Sequence, residues 1–177
     1  MPVIDPEVEE PTRDMLGHAI RGELPDLASL LLILGGEQCR HVLELCLTVA
    51  AYIAVDVSGR WPTDADVREI AGLVAARETE VKLSQEDVYD YLSGAALGFK
   101  PLPEALGDDA SAATLPLLIT GSMMFTFRPR DQKWWQYLDQ ILSACETAQG
   151  LAPSVLPALQ VRVRMREAVA AGDEAPE

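Results

Sequence analysis

Residues 127 to 138 read FRPRDQKWWQYL. Arg128, Arg130 and Lys133 stand beside Trp134 and Trp135 in a chain whose formal net charge is -14. Cationic side chains next to an exposed indole have the composition of an interface anchor. The ring brings apolar area and the cations bring charge-assisted hydrogen bonds. The charge is also uneven. Residues 128–166 hold six basic side chains, those three with Arg162, Arg164 and Arg166, against Asp131, Asp139 and Glu146. That segment is therefore +3 and the remainder -17.

Helical projection divides the two tryptophans. At about 100° per residue, Trp134 falls in the middle of the stripe Leu138, Ile141, Cys145 and is expected in the core. Trp135 lies about 100° away, beside Leu142, and is expected at the rim. The candidate interaction residues are thus Trp135, Arg128, Arg130 and Lys133. Arg162 and Arg166 join them because they share a face if 159–166 is helical. The plainer reading is that Trp135 covers the end of the core with an arginine stacked on its ring.

Other chemistry finds less support. His18 and His41 each follow a carboxylate by four residues (Asp14, Glu37), a spacing that could ligate a metal. Projection places both on the side away from the apolar stripes, as solvated helix pairs, so no metal and no cofactor is expected. Cys39, Cys46 and Cys145 fall on apolar stripes and read as small core residues, with no CxxC pair. No GxSxG, HExxH, GxGxxG or phosphate-binding glycine loop is present, and Asp108-Asp109 reads as helix-capping or loop solvation. Val67-Arg68-Glu69-Ile70-Ala71 and Val88-Tyr89-Asp90-Tyr91-Leu92 resemble the two ends of the helix-turn-helix of TetR-type repressors. The span between them is several residues too long for the tight turn. The second helix carries Glu86, Asp87 and Asp90 and no base, which repels phosphate. Nucleic-acid binding is therefore not expected.

The elements that must position these residues read as helices. At 177 residues, 49% hydrophobic and 24% charged, the chain is an ordinary one-domain length and composition. Thr63 with Asp66, and Ser84 with Asp87, mark two helix starts, with Leu83 and Val88 as a hydrophobic staple at the second. Gly98 marks a stop. Thr12 is expected to cap an early helix, Asp131 a late one running toward Gly150. A short buried helix is expected over 26–34, broken by Gly35-Gly36 from a long one over 37–57. A further helix is expected over 114–127, with Pro116 in its first turn. Trp61 reads as a packing plug before the Thr63 cap. Residues 99–113 form the longest expected loop. Residues 159–166 alternate as a strand would, but without a partner strand a helix from near Ser154 is preferred.

The expectation is an all-α single domain of about seven to eight helices around a central apolar helix. Its bounds are 12–171, with an acidic tail over 1–11 and a second tail over 172–177. Sparse cysteines, an acidic, proline-interrupted start and apolar runs short of about 20 residues predict a cytoplasmic protein outside the membrane. The lack of Asn and the ratio of 11 Arg to 3 Lys fit a GC-rich bacterial genome. The expected function is a non-enzymatic interaction, adaptor or assembly module. It would act on a protein partner or on a second copy, as in a homodimer. The alternative is a small-ligand binder or enzyme with an interhelical pocket lined by Tyr89, Tyr91, His18 or the 128–135 region.

Overall fold

The structure, a computed structural model, describes residues 4–77, 82–97 and 110–149. Seven α-helices appear among them, with one π-helical turn and no strand. They are α1 (Pro6–Arg21), α2 (Leu24–Ile33), α3 (Gly36–Ser58), α4 (Asp64–Ala75), α5 (Gln85–Asp90), the π turn (Tyr91–Ala96), α6 (Ala110–Phe127) and α7 (Trp134–Gln149).

The core is built on α3, packed by α1, α6, α7 and the π turn. Val49, Ala50, Ile53 and Ala54 on α3 are wholly buried, as are Leu117, Ile119, Met123 and Met124 on α6. The second half of α3 is apolar nearly all round and must be central, because no face of it suits water. By length and composition α3 could also cross a membrane, but 61% of its apolar window is buried inside the bundle. Gly121 sets the spacing of α6 on α1: a Cβ there would lie 3.2 Å from Ile20 Cγ1 and 3.3 Å from Ala19 Cβ.

Two helix starts follow their local signals. Thr63 and Asp66 form a reciprocal capping box on α4, and the Ser84 hydroxyl accepts from Asp87 N–H at 3.0 Å on α5. Gly22 (φ 72) and Gly59 (φ 69) close α1 and α3 in left-handed backbone, where a side chain would be strained.

Elsewhere the expectations need correction. The first helix begins at Pro6, capped by Asp5, not at Thr12, whose hydroxyl instead bonds Val8 C=O at 2.6 Å. Residues 4–11 are therefore no loose tail: Ile4 and Val8 are buried. The misleading signal was Pro11, which sits inside α1. The start of α7 is not capped by Asp131. Lys133 precedes the first turn, and its N–H donates to Gln136 Oε1 at 2.8 Å, the Gln half of a capping box. α6 begins at Ala110, so Pro116 is interior. α2 is only partly buried: Leu27 and Leu31 are enclosed and Leu30 packs against the core, while Leu32 and Ile33 are exposed. Gly98, Asp108-Asp109, the alternating run 159–166 and the tail 172–177 lie outside the described residues.

Candidate functional site: a basic corner between α6 and α7

The corner is made by the end of α6 and the turn that leads into α7. Arg128 N–H closes α6 on Met124 C=O at 3.0 Å, and Pro129 C=O accepts from Gln132 N–H at 3.0 Å to form the turn. Pro129 cannot continue the helix, so the basic residues fall on a fixed bend. Arg128 turns back on α6: its Nη1 donates to Phe125 C=O at 2.8 Å and its guanidinium lies 4.1 Å from the Phe125 ring centre.

A second guanidinium shares that ring. Arg77, just beyond α4, lies 3.6 Å from the Phe125 centroid. Burial, then the positive charge of Arg128, push the Arg77 pKa down. Arginine nevertheless keeps its proton at neutral pH, so the two like charges persist together. Among the described residues neither forms an ion pair, whereas Arg13, Arg21, Arg60 and Arg68 each do. Phe125 offers both cations its π-face, which offsets part of their repulsion.

Trp135 is 47% exposed. Trp134 meets it edge-on, with centroids 5.7 Å apart and planes at 87°. Trp134 itself is half-buried, not fully enclosed, because the deepest side chains of α7 are Tyr137, Leu138 and Ile141. Its ring lies over α1 at Gly17, where a Cβ would come within 3.3 Å of Cζ2. Arg130 and Lys133 are exposed on the turn. The structure thus brings Arg128, Arg130, Lys133 and Trp135 onto one short bend. Arg162 and Arg166 lie outside the described residues. Sequence reading missed Arg77 and Phe125, since nothing local signals that the end of α4 reaches the end of α6.

The other candidates are dispersed. Tyr91 is buried with its hydroxyl 3.1 Å from Thr120 Oγ1. Tyr89 lies under Arg68 and bonds Asp64 on α4. A shallow cleft of about 450 Å³ there is lined by Arg68, Gln85, Glu86, Tyr89 and Asp90. Trp61 packs on the core, as its place before α4 led one to expect. His18 pairs with Glu23 across the α1–α2 turn at 3.6 Å, not with Asp14. His18, Glu23 and Asp26 offer ligand atoms within 4.8 Å of one another, but Arg21 already binds Glu23 and holds its carboxyl below the usual range. That guanidinium places positive charge where a cation would sit.

All three cysteines are buried. Burial pushes each thiol pKa up: Cys39; Cys46, with a further push from Cys39; and Cys145 to about 12, with a further push from Glu146. None can supply a thiolate near neutral pH.

Geometry therefore defines an all-helical bundle with a basic, aromatic corner. No protein-family model matches this chain, and neither does any curated protein or solved structure.

Proposed function

We propose that the chain is a protein-interaction module whose basic corner docks an acidic surface of a protein partner. The observation that carries this is the Arg77–Phe125–Arg128 stack, two guanidiniums on one ring without an ion pair among the described residues. Together with Arg130, Lys133 and the half-exposed Trp135, it concentrates positive charge and aromatic area on a chain of net charge -14. Stacked arginines lose little side-chain freedom on binding, and a carboxylate fits the guanidinium fork. Complementary charge of this kind speeds encounter and fixes orientation more than it adds raw affinity. An acidic patch on a second copy would suit the corner as well as one on another protein.

The test compares wild type with Arg130→Glu, Trp135→Ala and the double variant Arg77→Ala/Arg128→Ala. Quantitative pull-down from the native host is paired with light scattering after size exclusion. The expected result is an acidic partner, or a dimer, lost in the variants and weakened by salt. If every variant keeps every partner and its oligomeric state, the corner is not the docking site.

A further inference from the structure

Two half-buried guanidiniums meet at the Phe125 ring, Arg77 at 3.6 Å and Arg128 at 4.1 Å from its centre. Their separation cannot exceed those two distances laid end to end. An N–H···O⁻ contact of about 2.8 Å puts a guanidinium carbon about 4 Å from the central atom of a bound oxyanion. One oxyanion beside the ring is therefore within reach of both cations.

Stacking occupies the face of a guanidinium and leaves its N–H edge for an acceptor. Arg128 uses Nη1 on Phe125 C=O. No carboxylate among the described residues pairs with either arginine. Two positive charges are thus held together, partly out of water, with nothing negative among those residues to answer them.

The choice of anion follows from charge and acceptor count. A carboxylate brings one charge and two oxygens, which a single fork already takes up. A phosphoryl group brings nearly two charges and three strong acceptor oxygens, so it can answer both cations at once. A nucleic acid or an anionic membrane is a poor source of it, because a chain of net charge -14 is repelled by an array of phosphates. A single phosphorylated side chain meets mainly the local field. The half-exposed Trp135, with Arg130 and Lys133 on the same bend, offers apolar and charged ground to the residues around it.

We propose that the basic corner takes the phosphoryl group of a phosphorylated side chain in a protein partner, held by Arg77 and Arg128 together. This rests on the docking reading above and names the group that is docked.

The test titrates the ¹⁵N-labelled full chain with N-acetyl-phosphoserine methylamide and follows the Nε–H signals of Arg77 and Arg128, assigned through Arg77→Lys and Arg128→Lys. The matching glutamate derivative and inorganic phosphate are the comparisons. Both signals should shift saturably, with the phosphoserine probe bound at least about fivefold more tightly than the glutamate probe. Its affinity should rise about two- to fivefold from pH 5 to pH 7.5, as the phosphoryl group gains its second charge near about pH 6. Each lysine variant should weaken it about threefold or more, since an ammonium lacks the fork. Arg68→Lys, whose guanidinium is already paired with Asp64, should leave it unchanged.

Equal affinity for the phosphoserine and glutamate probes would overturn the inference and leave the docking reading to carboxylates. The absence of a saturable shift at Arg77 and Arg128 would overturn it as well. Inorganic phosphate bound several-fold more tightly than the phosphoserine probe would assign the site to a free anion. Phosphatidic acid vesicles that retain wild type but not Arg77→Lys/Arg128→Lys would assign it to a lipid headgroup. Either result removes the protein source. So would a response seen only in Glu78→Gln/Glu80→Gln, because the chain's own carboxylates would then fill the forks.

Discussion

Gln38 fills the hydrogen bond that Pro11 cannot make. Inside α1, Pro11 has no N–H for the carbonyl of Glu7, four residues back, and Gln38 Nε2 donates to that oxygen at 2.8 Å. A proline that weakens α1 thereby creates the acceptor that fastens α3 to it. Gln38→Leu should cost about 0.5–1.5 kcal/mol in urea unfolding, since the site is part-exposed and water can take the carbonyl. In a Pro11→Ala background the backbone N–H reclaims the acceptor. Gln38→Leu should then cost almost nothing. Equal costs in the two backgrounds would mean that Gln38 and Pro11 are independent.

The α1–α6 contact leaves little room for a side chain at Gly121. A methyl at that position meets Ala19 Cβ at 3.3 Å, which is fixed to the α1 backbone, and Ile20 Cγ1 at 3.2 Å, which can rotate. Gly121→Ala gains helix propensity of about 1 kcal/mol and loses a similar amount to crowding, so its net effect should be small. Gly121→Leu has no room and should destabilise by about 3 kcal/mol or more. Thermal melts of the two variants check the contrast. A tolerated leucine would mean that the helices sit further apart.

Asp66 predicts a dependence on pH. Hydrogen bonds from Thr63 N–H, then from Arg60 and the Thr63 hydroxyl, hold its carboxyl below the usual value. A depressed folded-state pKa contributes stability above the unfolded pKa, near about 4, and loses it as pH falls through the lower folded value. Asp66→Asn should therefore flatten the acid limb of the stability curve below about pH 4 and leave its shape at pH 6–8 unchanged. Midpoints of urea unfolding between pH 2.5 and 7 read this directly. An acid limb of unchanged steepness would remove Asp66 from it.

What could be read in the sequence was local. The Thr63–Asp66 box and the Ser84 cap need only neighbours three residues apart, and both are present. The central helix followed from the second half of 37–57, which is apolar nearly all round. The exposure of Trp135 followed from helical projection. Features settled by tertiary contact were not legible. Pro11 looked like a helix breaker because the acceptor it frees is filled from α3, a partner remote in sequence. α2 is apolar on every side, so periodicity could not tell its buried Leu31 from its bare Leu32. Leu97 N–H bonds Leu92 C=O at 2.8 Å, five residues back, and so ends a π turn that no residue type announces. Arg77 reaches Phe125 through the packing of α4 on α6, so half of the basic corner had no signal of its own.

The field of that corner can be measured without any partner, through Trp135. A chain of net charge -14 repels iodide overall and attracts caesium. Around a half-exposed ring beside Arg130 and Lys133, the local field should reverse that preference. The Trp135 signal is isolated as the difference between wild-type fluorescence and that of Trp135→Phe, because Trp61 and Trp134 also emit. With each constant divided by that of the same ion for a neutral free tryptophan amide, its iodide value at low ionic strength should exceed the caesium value by about two- to threefold. Around 0.5 M salt, where the screening length is about 4 Å, the two constants should converge. Arg130→Glu/Lys133→Glu should invert the order, since it replaces two positive charges near the ring with two negative ones while leaving the Phe125 stack in place. If caesium quenches wild-type Trp135 as well as iodide does, net charge governs the ring's surroundings. The corner then has no field to offer an acidic partner.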